Sequence, residues 1–334
     1  MTVLVTGGGG FLGGAIVSQL LARGENVRSV ARGAYPELEA RGVTCVRGDL
    51  ADPEVAAEAV SGCDAVIHVA AKAGVWGPHD DYYRANVTAT RNLLEACREQ
   101  HIGKLVYTST PSVTFNGEDE SGVDESAPYA TRFLCHYAAT KARAEQDVLA
   151  ANSPALATVA LRPHLIWGPG DNHLVPRLIA RAKAGKVKIV GRGGNLVDAT
   201  YIDNAAAAHL NALDALAPDA PCAGKAYFIS NGEPVAMDVL LNQILAAAGL
   251  PPITKKVPAG VAYAAGAAME AVYNLLGKDE EPIMTRFVAR QLATAHWFDI
   301  SAARRDLGYN PAVSMAEGME RLAVWIRNRR ECIP

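Results

Sequence analysis

The stretch "TVLVTGGGGFLGGAIVSQLLARG", residues 2 to 24, constrains the fold more than any other. A short apolar β run, Val3 to Val5, meets a glycine cluster. A helical pattern follows, with Phe11, Leu12, Ile16, Val17, Leu20 and Leu21 apolar. Strand, tight turn and helix in this order open a βαβ unit. Gly7, Gly10 and Gly13 carry the spacing G-x-x-G-x-x-G. That turn needs glycine backbone angles, and a pyrophosphate must approach the chain without meeting a Cβ. The helix N-terminus then offers free N–H groups and a partial positive charge. These glycines, with Phe11 and Leu12 at the helix start, are the expected wall of a dinucleotide site.

The next β run, "NVRSVAR", ends at Ala31 and Arg32, where a dinucleotide site usually places an acid on the adenosine ribose. No acid stands there to bind a 2′-hydroxyl or repel a 2′-phosphate, and Arg32 can pair with that phosphate. NADP(H) is therefore the expected cofactor, with NAD(H) the alternative; the plain reading of Arg32 is a solvated surface arginine. "VTCVRGDL" reads as a third strand closed by Asp49 and Leu50. Asp49 suits either of two tasks, accepting from the adenine amino group or capping the helix that begins near Pro53. "CDAVIHVAAKAG" reads as a buried parallel strand, Ala65 to Val69, followed by the small-residue loop of Ala70, Ala71 and Lys72. His68 inside it is expected to be packed. Strands alternate with helices throughout, which predicts an α/β, Rossmann-type doubly wound parallel sheet with ligand at the strands' C-terminal ends.

"KLVYTSTPSV" is a further β run ending in the hydroxyl cluster Thr108, Ser109, Thr110 and Ser112, at the same sheet edge as the glycine turn. "CHYAATKARAEQ", residues 135 to 146, follows on a helix, and its Tyr137 and Lys141 lie four apart on one face. A carbonyl oxygen that receives a hydride develops negative charge and needs a donor and then a proton. Tyrosine's ordinary pKa, about 10, is high for that work. A nearby ammonium and an oxidised nicotinamide both favour tyrosinate and bring it down. A hydroxyl at a strand end plus a Tyr/Lys helix face thus predicts a carbonyl-reducing site.

The motifs TGGGGFLG, YTSTPSV and YAATK, together with "NVTATRNLLEAC", "LRPHLIWGPGDN" and "LVDATYIDNAAAAHL", resemble the extended short-chain dehydrogenase/reductases over nearly the whole chain. Within them the chain is similar to the 3β-hydroxysteroid dehydrogenase branch, and "AAKAGVWGP", "LRPHLIWGPGDNHLVPRL" and "GKAYFISNGEP" resemble most its members of bacterial long-chain olefin biosynthesis. The resemblance implies NADPH-dependent reduction of the 3-keto group of a 2-alkyl-3-oxoalkanoic acid. Tyr137 is then the general acid and Lys141 also bonds the nicotinamide ribose. The family's active-site serine falls on Thr110, with Ser109 in reserve. Pro163 and His164 begin the loop that passes the carboxamide. Trp76, Trp167, Asn172 and His173 fall on substrate-facing positions, and Asn86 is expected to brace the helix that it begins. A sterol or hydroxysteroid dehydrogenase shares every catalytic residue, and a nucleotide-sugar epimerase uses the same triad. A non-catalytic NADP-sensing protein typically lacks the Tyr/Lys pair. A homodimer through the helices near 90 to 100 and 137 to 150 is also a family-level expectation.

The bulk numbers narrow the partners. The chain has 334 residues, half of them hydrophobic, and a formal net charge of −3, which argues against electrostatic nucleic-acid binding. Its six cysteines are scattered without CxxC or His/Cys spacing, so reduced thiols in a cytoplasmic protein and no metal site are expected. The segment Pro258 to Lys278 is apolar apart from Glu270 before its closing lysine, and rich in Ala and Gly. It reads as a hydrophobic helix beside an apolar pocket, with shallow membrane contact as the alternative to a span. The acidic segment 115 to 133 is expected to be a loop. Residues 1 to 165, with a return near 196 to 230, are expected to hold the dinucleotide. Residues 166 to 195 and 231 to 334 are expected to form a smaller, mostly helical domain for an apolar small-molecule substrate.

Overall fold

The computed structural model describes residues 1–331. Its centre is a seven-stranded, wholly parallel sheet. The chain lays down β1 (Thr2–Thr6), α1 (Phe11–Ala22), β2 (Asn26–Ala31), α2 (Pro36–Glu39), β3 (Thr44–Arg47), α3 (Pro53–Val60) and β4 (Ala65–His68). Then come α4 (His79–Tyr82), a π-helical turn (Tyr83–Thr88), α5 (Ala89–Glu99), β5 (Lys104–Thr108), β6 (Glu120–Val123), α6 (His136–Ala150) and β7 (Ala157–Pro163). Strand Lys225–Ile229 pairs with β7, and the order across the sheet is that strand, β7, β5, β4, β1, β2, β3. From β1 the chain moves outward to β3, then crosses back to β4. The switch point between β1 and β4 opens a crevice at the strands' C-terminal ends, where open α/β sheets bind ligands.

Side-chain alternation fills both faces. Val3, Val5, Ile67, Val106 and Leu161 enter one core cluster, while Leu4, Val66, Leu105 and Ala160 enter the other. Burial on both faces explains why these strands read as unbroken apolar runs.

Beyond β7 lie α7 (Leu174–Lys183), α8 (Ile202–Ala215), α9 (Met237–Ala247), α10 (Ala259–Leu275) and α11 (Arg286–Ala293). α8 packs against α1 under the large sheet. Segment 115 to 133 is not all loop. Its Glu120–Val123 forms β6, which pairs in parallel with His296–Phe298 in a four-stranded sheet. That pairing is long-range, and the strand's sequence, ESGV, lacks any apolar alternation. Among the described residues no helix is long and apolar enough to cross a membrane. Cys332 lies outside the described residues.

Candidate active site

The glycine turn closes on itself. Gly10 N–H donates to the Gly7 carbonyl at 2.9 Å, and Gly7 has φ +70°. A Cβ on Gly13 would stand 2.2 Å from the Gly7 oxygen, and one on Gly7 would stand 3.2 Å from Ala70 Cα. Turn, helix start and the end of β4 are thus packed too closely for any other residue at position 13. α1 begins at Phe11 with no side chain capping it, and its first residues, Phe11, Leu12 and Gly13, line the crevice. The cradle fits the pyrophosphate of a dinucleotide.

The crevice is a cleft of about 890 Å³. Gly7, Gly10, Phe11, Leu12, Gly13, Arg32, Asp49 and Leu50 line it, and Ala70, Ala71, Lys72 and Pro163 continue the wall. Ser109, Thr110, Tyr137, Lys141, Asn172 and His173 line it as well. Residues from eight separate segments of sequence therefore meet in one place.

At the chemical end, burial pushes the Tyr137 phenol up to about 12, while a hydrogen bond from Thr110 pulls it down. Lys141 Nζ donates to the Thr108 carbonyl at 2.5 Å and sits 4.1 Å from the Tyr107 ring centroid. Burial lowers its pKa to about 7, and Glu145 acts to raise it. In this arrangement the ammonium is turned to β5 rather than to the phenol. Thr110 accepts from Ser112 N–H at 3.2 Å. The Ser109 hydroxyl is buried in the cleft wall with no partner, and a buried hydroxyl left unpaired is available to a ligand.

Five sequence expectations change. Asp49 does not cap the helix at Pro53, because Asp52 does, accepting from Glu54 N–H at 3.0 Å. Asp49 instead takes Ala51 N–H on one oxygen and Arg84 on the other. His164 does not line the cleft. Its ring turns into the protein, with Nδ1 2.7 Å from the Asp198 carbonyl and the His296 ring 4.7 Å away. Trp167 is fully buried and packs edge-on against Tyr201 at 5.5 Å, so it supports the core rather than touching a ligand. Asn86 braces more than its own helix. Its amide bonds Lys72 N–H at 2.7 Å, the Lys72 carbonyl and Thr140, tying the loop after β4 to α6. Trp76 lies in a second cavity of about 460 Å³ with Tyr273, Glu270 and Arg286. There its indole N–H donates to the Lys278 carbonyl at 2.9 Å. His68 is packed, between Thr6 and Thr90.

Three residues of the cleft carried no clear signal. Tyr35 lays its ring against Gly9, where a Cβ would fall 2.2 Å from it. Arg84 reaches from the π-helical turn to Asp49 at 3.2 Å. Asp171 accepts three successive amides, from His173, Leu174 and Val175. Of these only Asp171 was findable, as an acid just ahead of an apolar helical pattern.

The sequence profile of the 3-beta hydroxysteroid dehydrogenase/isomerase family matches residues 4–258. The chain belongs to this family. It is 59% identical over 326 residues to a 2-alkyl-3-oxoalkanoate reductase of Shewanella oneidensis, covering 95% of this chain and 84% of that protein. It is 56% identical to the 2-alkyl-3-oxoalkanoate reductase of Stenotrophomonas maltophilia, over 96% and 98% of the two chains. The solved structure of MoeE5 in complex with UDP-glucose and NAD superposes with a TM-score of 0.76 at 25% identity, over 99% and 100%. This 3β-hydroxysteroid dehydrogenase family member is thus an oxidoreductase with an extended short-chain dehydrogenase/reductase fold and a reductase role.

Proposed function

We infer that the protein reduces the 3-keto group of a long-chain 2-alkyl-3-oxoalkanoic acid to the 3-hydroxy acid, with NADPH, as a step of olefin biosynthesis. The observation that carries this is the meeting of the glycine turn with Thr110, Ser109 and Tyr137 in one cleft, in a chain so similar to two reductases of that name. When bound, the nicotinamide cofactor supplies the hydride. The chain's own residues do the rest. The Gly7–Gly13 turn and the first amides of α1 hold the pyrophosphate, and Arg32 at the cleft wall takes the 2′-phosphate, which favours NADP(H) over NAD(H). Thr110 Oγ1 and the free Ser109 hydroxyl orient the ketone oxygen. Tyr137 gives its phenolic proton to that oxygen as the carbinol forms, so a C–H and an O–H bond replace the carbonyl π bond. Lys141 supports the tyrosinate that is left and holds the ribose.

The test runs in the oxidative direction, since 3-oxo acids decarboxylate. NADPH formation is followed with NADP⁺ and a long-chain 2-alkyl-3-hydroxy acid, with NAD⁺ and a 3β-hydroxysteroid in parallel. Turnover of the hydroxy acid with NADP⁺ is expected, and Tyr137→Phe should lower kcat at least about 100-fold while leaving cofactor binding intact. Turnover of the steroid alone would overturn the substrate assigned here.

A further inference from the structure

Tyr137, Lys141 and Glu145 follow at four-residue intervals on α6 and so share one face. The first two line the cleft. Glu145 lies behind them with 0% exposure, and Arg162 of β7 closes on it from the sheet. Arg162 Nε is 3.2 and 3.1 Å from the two carboxylate oxygens and Nη2 is 2.5 Å from Oε1. The Tyr129 hydroxyl donates to the same Oε1 at 2.7 Å. The guanidinium is held between the rings of Tyr129 and Phe228, at 5.6 and 5.2 Å. A buried ion pair is weak evidence of stabilisation, since apolar replacements often serve as well. One set directly behind a reactive helix face calls for another account.

We propose that Glu145, clamped by Arg162 and Tyr129, is a positioning residue that holds Lys141 in its charged form behind Tyr137, and that Arg162 limits how strongly it does so. The inference rests on the reduction assigned above for its catalytic meaning. Arg162 bonds the carboxylate directly, while Lys141, one helical turn away and bonded to the Thr108 carbonyl, feels its charge through space. Burial drives Lys141 toward the neutral amine and Glu145 opposes it. The other groups facing Lys141 are Tyr107 and the Thr108 carbonyl on β5, His68 on β4 and Tyr137 on its own helix. Burial holds Tyr107 and Tyr137 in the phenol form and His68 neutral, so the Glu145–Arg162 pair supplies the fixed charge. Elsewhere on α6, Asp147 engages Arg143 and, from α5, Arg91, and His136 faces His79.

The test exploits opposite signs. Lys141 is titrated by competitive acetylation with acetic anhydride across pH, read by mass spectrometry of its peptide, in the full chain and in Glu145→Gln and Arg162→Gln. Losing the carboxylate should move the Lys141 midpoint down by about one pH unit, and losing the guanidinium should move it up by about half a unit. The Lys141-dependent limb of kcat against pH should follow. A double variant, Glu145→Leu with Arg162→Met, leaves no buried charge unpaired and should keep the fold while the midpoint still moves down. An unmoved midpoint in the folded double variant, or shifts of one sign in both single variants, overturns the proposal. Labelling needs no substrate. Failure of the wild-type protein to oxidise the hydroxy acid would sink the assigned reaction and leave this result readable.

Discussion

Thr110 stands where three demands meet. Its hydroxyl caps the short turn at Pro111–Val113, touches Ser112 and acts on the Tyr137 phenol. Thr110→Val keeps the shape and removes the oxygen. The phenol then loses the one hydrogen bond that lowers its pKa, and the developing oxyanion loses a donor. A fall in kcat of about 100-fold or more is expected, whereas Thr110→Ser should retain most turnover; equal activity in the Val variant would assign the task to Ser109. At this scale the lining of the cleft was legible, because Tyr137 and Lys141 announce themselves by helical spacing and the hydroxyl run by its place at a strand end. His164 and Trp167 misled for a physical reason. Both flank a turn-rich stretch at the cleft, but a strand's successive side chains face opposite ways, and which way is the cleft depends on residues Asp198, Tyr201 and His296 far along the chain.

The π-helical turn Tyr83–Thr88 is the element with the widest reach. It delivers Arg84 to Asp49 at one end of the cleft and Asn86 to Lys72 and Thr140 at the other. Such local irregularities recur at functional sites. Asn86→Ala would leave the half-buried Lys72 amide and carbonyl without the Asn86 partner, at a cost of about 1–2 kcal/mol. Chemical denaturation should show that loss, accompanied by a raised KM for the cofactor, whose wall Lys72 forms. A variant as stable as the parent would show that water replaces the amide. The glycine turn and the parallel strands could be read from sequence because their signals are local. β6 could not, because ESGV becomes a strand only through its partner His296–Phe298.

For the whole molecule, buried titratable groups set the response to acid. Burial pushes His68 and His164 to about 3 and His209 to about 4. In the unfolded chain each titrates near 6.5, so below that pH the unfolded state gains protons that the folded state refuses. Stability therefore falls as pH drops, by about 1.4 kcal/mol per unit for each histidine. Asp198 opposes this. Burial raises its pKa from 3.8 to about 6, so between those values the folded state takes up a proton first and gains. Three histidines outweigh one aspartate, and the melting temperature should fall steadily from pH 6.5 to pH 4.5; His209→Gln should flatten that slope by about half below pH 6, and an unchanged slope would contradict the assignment.

The join between β6 and His296–Phe298 also governs how the chain must fold as it is made. Asp119 and Ala295, bonded at one end of that join, are 176 positions apart. At ordinary translation speeds the first waits about 9–35 s for the second to emerge from the ribosome. Through that interval an unpaired strand edge stands exposed beside a half-built cleft. The acidic residues Glu118, Asp119, Glu120, Asp124 and Glu125 that flank and enter it repel other nascent chains and water-solvate the edge, which is how exposed strands escape aggregation. The charge that disguised this segment as a loop is, during synthesis, its guard.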